Sequence, residues 1–208
     1  MANLKEFFDA VSRGDVAMVK TMIDRIPEFV RAKHDGATPL HFAAINNRPE
    51  VVAVLIAHGA DLHAQDDEYS AMPIGWANEK GHTEMVEYLL RKGTVLTLNR
   101  AAAYGCIDRV RELLLDEDSQ VNMIDGYGAP IHEASLWGHP EIVDLLLAHG
   151  ANPDIKNRDG LTAFAIAKRQ MDSGGKGTPI VIETKRQEIV EGCRAVIEAL
   201  RDYGAMEH

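Results

Sequence analysis

Basic residues, cysteines and aromatics are all scarce in this chain, and each scarcity closes off a class of function. Only 22 Lys and Arg stand against 32 Asp and Glu among 208 residues, a formal charge of −10. Affinity for nucleic acid or for an anionic membrane surface runs on an excess of Lys and Arg, so neither partner is expected. Two cysteines, Cys106 and Cys193, are too few for a disulfide framework or for a zinc site of their own. A reducing cytoplasm is the simplest home for such a chain. No stretch approaches the roughly 18 consecutive apolar residues of a membrane-spanning helix. The opening residues, MANLKEFFDAVSRGD, carry acids early and lack the apolar run of a secretory signal. The serines are Ser12, Ser70, Ser119, Ser135 and Ser173, and none sits in a G-x-S-x-G elbow. There is no H-E-x-x-H. Gly174-Gly-Lys-Gly-Thr178 fails as a phosphate loop, because Lys176 is followed by Gly177 and the position five before Gly175 is Gln170.

What is present is a repeat. The turn residues Gly14, Asn47, Gly81, Gly105 and Gly138 are spaced 33, 34, 24 and 33 apart. Pro39 and Pro73 are 34 apart. The best-formed copy begins Thr38-Pro39-Leu40-His41-Phe42-Ala43-Ala44. A period near 33 with a T-P-L-H-x-A core resembles the ankyrin-repeat family, and the resemblance runs along essentially the whole chain. It implies an all-α ankyrin-repeat solenoid of about five full repeats plus an N-terminal cap, forming a single domain. The cap would be residues 1–35. Repeats would follow at 36–69, 70–95, 96–127 and 128–159, and a C-terminal repeat at 160–208 would carry an insertion near 169–186.

The pattern makes physical sense at each step. Thr38 is suited to an N-cap, and Pro39 to the first helical position, where its missing N–H costs nothing. Pro49 and Pro140 open second helices in the same way. Glu50, Glu84, Asp108 and Glu141 put negative charge in the first turn, as the helix dipole favours. Apolar pairs such as Val51-Val52 and Leu55-Ile56 give the helical stripe. Gly59, Gly93, Gly150 and Gly204 stand where a helix ends on a left-handed residue. Helices this short are marginal alone, so stacking must stabilise them.

Two departures break the period. Between Gly93 and Leu98 only Thr94 to Thr97 remain, so most of the projecting turn is deleted there. Either it is a shortened loop on a tolerant surface, or it changes what the concave face admits. Near 169–186, RQMDSGGKGTPIVIETKR lengthens the last repeat between its two helices, with a flexible turn at Asp172–Gly177 and strand character at Pro179–Glu183. Such insertions serve function or accumulate harmlessly in a capping repeat.

The nine histidines fall mostly on repeated positions. The family resemblance implies buried imidazoles at His41 and His132 that bond to nearby backbone. His82 and His139 follow the mid-repeat bend, and His58 and His149 precede a terminal glycine. Equivalent positions would be about ten ångströms apart, too far to share an ion, so no metal and no cofactor is expected. Cys106, with Arg109 three residues on, is a thin candidate for a reactive thiol.

The resemblance places partner contacts on the first helix of each repeat and on the projecting turns. The variable helix positions hold both tryptophans of the chain, with Phe42 and Tyr104. Exposed aromatics of this kind anchor interfaces. Phe42, Trp76, Tyr104 and Trp137 are therefore the expected anchors. Asp67, Tyr69, Glu79, Tyr127 and Glu133 are secondary candidates. Asp66-Asp67-Glu68 would form a solvated acidic rim. The competing reading buries the tryptophans between repeats. The expected function is a non-enzymatic scaffold that binds a partner protein on its concave face, as a monomer or weak homodimer. The alternatives are an enzyme or small-ligand binder built on the shortened turn and the insertion, and a self-associating module that pairs through its C-terminal helix.

Overall fold

The computed structural model describes residues 3–116, 120–126, 128–176 and 183–205. Twelve α-helices are found among them and no strand. In chain order they are α1 (Leu4–Arg13), α2 (Val16–Arg25), α3 (Pro39–Ile45), α4 (Pro49–Ala57), α5 (Pro73–Glu79), α6 (Thr83–Arg91), α7 (Leu98–Ala103), α8 (Ile107–Leu114), α9 (Pro130–Trp137), α10 (Pro140–Ala148), α11 (Ala163–Asp172) and α12 (Glu183–Asp202). A 3-10 turn, Pro27–Arg31, follows α2. Odd-numbered helices open each repeat and even-numbered helices close it, as the period predicts. None of them is long and apolar enough to cross a membrane. The chain gathers into two compact units, Met1–Val95 and Leu96–His208. The boundary falls on the shortened turn.

The expected punctuation is in place. Pro39, Pro73 and Pro130 occupy the first turn of inner helices, and Pro49 and Pro140 that of outer ones. Gly59, Gly93, Gly150 and Gly204 end helices at φ between 84° and 104°. Asn47 takes the bend at φ 52°. The cores are aliphatic and interlocked. In the first unit Leu40, Leu55, Ile74 and Leu89 are sealed completely, and in the second Ile131, Val143, Leu146 and Leu200 are.

Side-chain to backbone bonds tie each helix pair to the chain on either side of it. The His41 Nδ1 accepts the Thr38 N–H at 3.2 Å, which leaves the proton on Nε2 to be donated to the Ala71 carbonyl at 3.0 Å. His132 repeats the device, accepting from Ala129 N–H at 2.9 Å and donating to the Ile155 carbonyl at 2.9 Å. Asn99 stands in for the histidine in the repeat between them within the second unit. Its amide donates to the Gly128 carbonyl at 2.6 Å. A second series starts just after each bend. Arg48 donates to Ser12 O at 3.0 Å, His82 to Ile45 O at 3.0 Å and His139 to Ala103 O at 3.3 Å. His58 and His149 turn back on their own helices, each bonding the carbonyl four residues earlier at 2.8 Å.

The expected insertion is shorter than the sequence suggested. Residues 169–172 continue α11, where Gln170 is buried, and Glu183 to Arg186 belong to α12. An amphipathic helix extends for as long as its stripe finds something to cover, and a period count does not see this. The strand character assigned to Pro179–Glu183 falls on residues 179–182, outside the described residues, and on Glu183, which is helical. Helix α12 crosses the end of α9 backbone to backbone. A Cβ on Gly192 would stand 2.1 Å from the Gly138 carbonyl oxygen, and one on Gly138 would stand 2.7 Å from the Ile189 oxygen. Gly138 itself sits at φ 69°.

Two predictions follow from this packing. Gly192→Ala should destabilise the second unit by about 2 kcal/mol or more, because both clashing atoms are backbone. Differential scanning calorimetry should read this as a drop of several degrees in Tm. Burial lowers the pKa of His41 and His132 below the ordinary 6.5. The unfolded chain therefore binds more protons than the folded one at mildly acid pH. This contribution is intact above pH 6.5 and is lost as pH falls through the lowered values. In urea titrations, the stability that His132→Asn gains over the parent chain should be greater at pH 5 than at pH 7.5, while the amide keeps the role Asn99 already plays.

Candidate functional site

In the first unit the candidate side chains converge on α3, α5 and the turn between His58 and Met72. Phe42 follows His41 on α3. Its ring lies 5.0 Å from Phe8 and 5.7 Å from Trp76, and His34 is 6.1 Å away. Trp76 meets His41 edge-on at 5.1 Å. Its indole N–H donates to Asp66 Oδ2 at 2.8 Å. The other Asp66 oxygen accepts the N–H groups of Glu68 and Tyr69 at 3.1 and 2.6 Å. Trp76 and Phe42 each keep an exposed part, and each is also a packing residue.

The acidic run is not the uniform solvated rim that its composition implied. Asp66 is 5 % exposed, because it gives up water for three N–H donors that replace it. Asp67 is exposed and paired with the Lys33 ammonium, which also donates to the Gln65 carbonyl at 3.2 Å. Glu68 is exposed. Its carboxylate bonds the Tyr69 phenol and holds that phenol above its usual pKa, with Asp66 and Glu79 adding to the effect. Tyr69 is 37 % exposed, and Glu79 is half-buried at the end of α5. Tyr69 therefore stands inside an acidic collar.

In the second unit α7 and α9 carry the candidates. The Arg100 guanidinium donates to the Tyr104 hydroxyl at 3.1 Å. Glu133 shares that neighbourhood. Burial pushes its carboxyl up to about 7, with Arg100 pulling it down and Asp125 pushing it further up. Trp137 closes α9, half-buried, one residue before the Gly138 bend. Tyr127 lies outside the described residues.

The periodic reading missed three partners: Asp66 for Trp76, Lys33 for Asp67 and Arg100 for Glu133. Each tie joins a turn or helix to a different repeat, where spacing within one repeat gives no signal. Burial pushes the Cys106 thiol up to about 11 and the Cys193 thiol up to about 12, which disfavours the thiolate that a reactive cysteine needs. Cys193 donates to the Ser135 carbonyl at 3.4 Å. No group of three His, Cys, Asp or Glu among the described residues is arranged to hold a metal ion.

Glu133 yields a test opposite in sign to that of the histidines. Its folded pKa lies above the ordinary 4.5. The folded state therefore binds the extra proton, and this group's contribution is lost as pH rises from 4.5 through about 7. Glu133→Gln should raise stability at pH 8 by roughly 1 kcal/mol or more and leave it nearly unchanged at pH 4. Paired denaturant titrations would show it, and equal shifts at both pH values would contradict it.

Comparison with known proteins adds the family. The model for ankyrin repeats, in three copies, matches residues 7–100 and 98–173. The chain is 24% identical over 222 residues to palmitoyltransferase AKR1 of Lachancea kluyveri, covering 82% of this chain and 30% of that protein. It is 30% identical over 199 residues to palmitoyltransferase ZDHHC17 of Homo sapiens, covering 71% of this chain and 31% of the relative. It thus spans under a third of either enzyme's length. The crystal structure of EF0377, an ankyrin repeat protein, superimposes with a TM-score of 0.60 at 25% identity, covering 98% of this chain and all of the other. With the T-P-L-H copy at Thr38–His41, the paired helices and the matched family model in agreement, the chain belongs to the ankyrin-repeat family.

Proposed function

We propose that this chain is a binding module that catalyses no reaction itself and takes a partner protein on its inner-helix faces, in the cytoplasm. The observation that carries the proposal is a contrast along the same helices. Every alanine and histidine of the α3 and α9 cores is sealed, while Phe42, Trp76, Glu79, Tyr104, Glu133 and Trp137 all keep accessible surface. Large amphipathic side chains that are already held by neighbours lose little rotamer freedom on binding, which favours them as anchors. Phe42 and Trp76 are fixed by Phe8 and Asp66, and Tyr104 by Arg100. The acidic collar around Tyr69 suits a partner with basic residues at its edge. The two palmitoyltransferases share only the ankyrin part with this chain, and their activity is not part of the proposal.

Trp137→Ala and Tyr104→Ala should each weaken capture of the partner at least about tenfold. The exposed outer-helix variant Glu141→Lys should leave it unchanged. Quantitative affinity capture from native lysate, with folding verified by circular dichroism, makes the comparison. A partner kept by both aromatic variants and lost with Glu141→Lys would move the site to the outer helices. Trp76 is better probed as Trp76→Phe, since removing the ring would also strip Asp66 of its indole donor.

A further inference from the structure

Helix α12 packs on α9, α10 and α11, and α11 packs on α9. Ile189, Cys193, Val196 and Leu200 form the buried stripe of α12, and this stripe meets the end of α9 at Ser135 and Gly138. About 100° around the same helix, Arg194, Ile197, Glu198 and Arg201 form a second stripe at i, i+3, i+4 and i+7. It faces a matching stripe on α11 made by Phe164, Lys168 and Met171. Together they line a groove of about 290 Å³.

The groove is built in two layers. Its floor is apolar: Phe164 and Ile197 are nearly sealed, and Met171 is half-buried beside them. Its rim is cationic. Lys168, Arg194 and Arg201 are exposed, and the Arg201 guanidinium lies 5.4 Å over the Phe164 ring. Glu198 is the single carboxylate among the described residues of the lining. Three cations against one acid is a local reversal of sign in a chain whose net charge is −10.

We propose that the α11–α12 groove is a docking site for an acidic peptide segment of a partner protein, one bulky apolar side chain seated on the Phe164–Met171–Ile197 floor and flanking carboxylates against Lys168, Arg194 and Arg201. The volume sits at the small end of ligand sites, the size of one large side chain rather than of a nucleotide or a flavin. The rim selects for carboxylates, and guanidinium groups offer them paired donors. A second copy of this chain fits poorly. A two-fold contact would set the three cations against themselves. The groove lies on faces of α11 and α12 that carry none of the anchors named above, so it stands or falls independently of the function proposed there.

The test is fluorescence anisotropy on the full chain with a labelled peptide, Gly-Asp-Glu-Leu-Asp-Glu-Gly. Saturable binding is expected, weakened about tenfold or more by Lys168→Glu/Arg194→Glu, by high salt, and by replacing the central Leu of the peptide with Gly. The Lys-for-acid version of the peptide should not bind, and Glu50→Gln on α4, in the first unit, should leave the affinity unchanged. The two charge reversals lie at exposed positions, and circular dichroism confirms that the double variant folds. The salt and peptide arms use the unmodified chain and do not depend on it. No binding at millimolar peptide, equal binding of the basic peptide, or an unchanged affinity in the double variant would overturn the proposal. So would a dimer seen by sedimentation equilibrium that the double variant abolishes, since the groove would then be occupied by a second copy.

Discussion

One hydrogen bond recurs through the molecule and governs the rest: a buried side-chain N–H on the first helix of a pair donating to a backbone carbonyl beyond that helix pair. A helix of seven or eight residues such as α3 or α9 leaves most of its terminal backbone groups without intrahelical partners. The imidazoles of His41 and His132 serve both ends of that problem. One nitrogen accepts the N–H at the helix start, and the other reaches the chain beyond the second helix of the pair. The arrangement requires a neutral ring, and burial keeps it neutral. Acidity thus acts on the joints between repeats before it acts on their apolar cores.

The candidate binding residues depend on the same joints. Trp76 packs against the His41 ring, and its indole N–H is held by Asp66, which also orders the turn through the N–H groups of Glu68 and Tyr69. A buried carboxylate with three donors is a stable centre, and its loss would leave charge or unsatisfied N–H groups inside. The aromatic surface and the turn that rises beside it are therefore one structure in the first unit. In the second unit the corresponding polar centre is Arg100 with Tyr104 and Glu133, and there the carboxylate is only partly compensated.

The fold was legible in the sequence because its determinants lie within one period. Pro39, Pro73 and Pro130, the terminal glycines and the apolar pairs all act over three or four residues, and each stands where spacing put it. Asn99 was less legible, because an amide there performs the imidazole's task without resembling it. The electrostatics of the site were hardly legible at all. Asp66 reads as one more acid in an acidic turn until the fold brings the indole of Trp76 to it. The run 169–172 reads as insertion until α11 is seen to continue over a surface that buries Gln170. Contacts between repeats depend on how far each helix rotates as the stack grows, and no local pattern encodes that rotation.

The meeting of Gly138 and Gly192 has a consequence for how this end of the chain tolerates change. A methyl group at position 192 has nowhere to go, because Gly138 O would stand 2.1 Å from it. Helix α12 is confined to a single depth and register against α9, so variation in the last repeat should leave the crossing point alone.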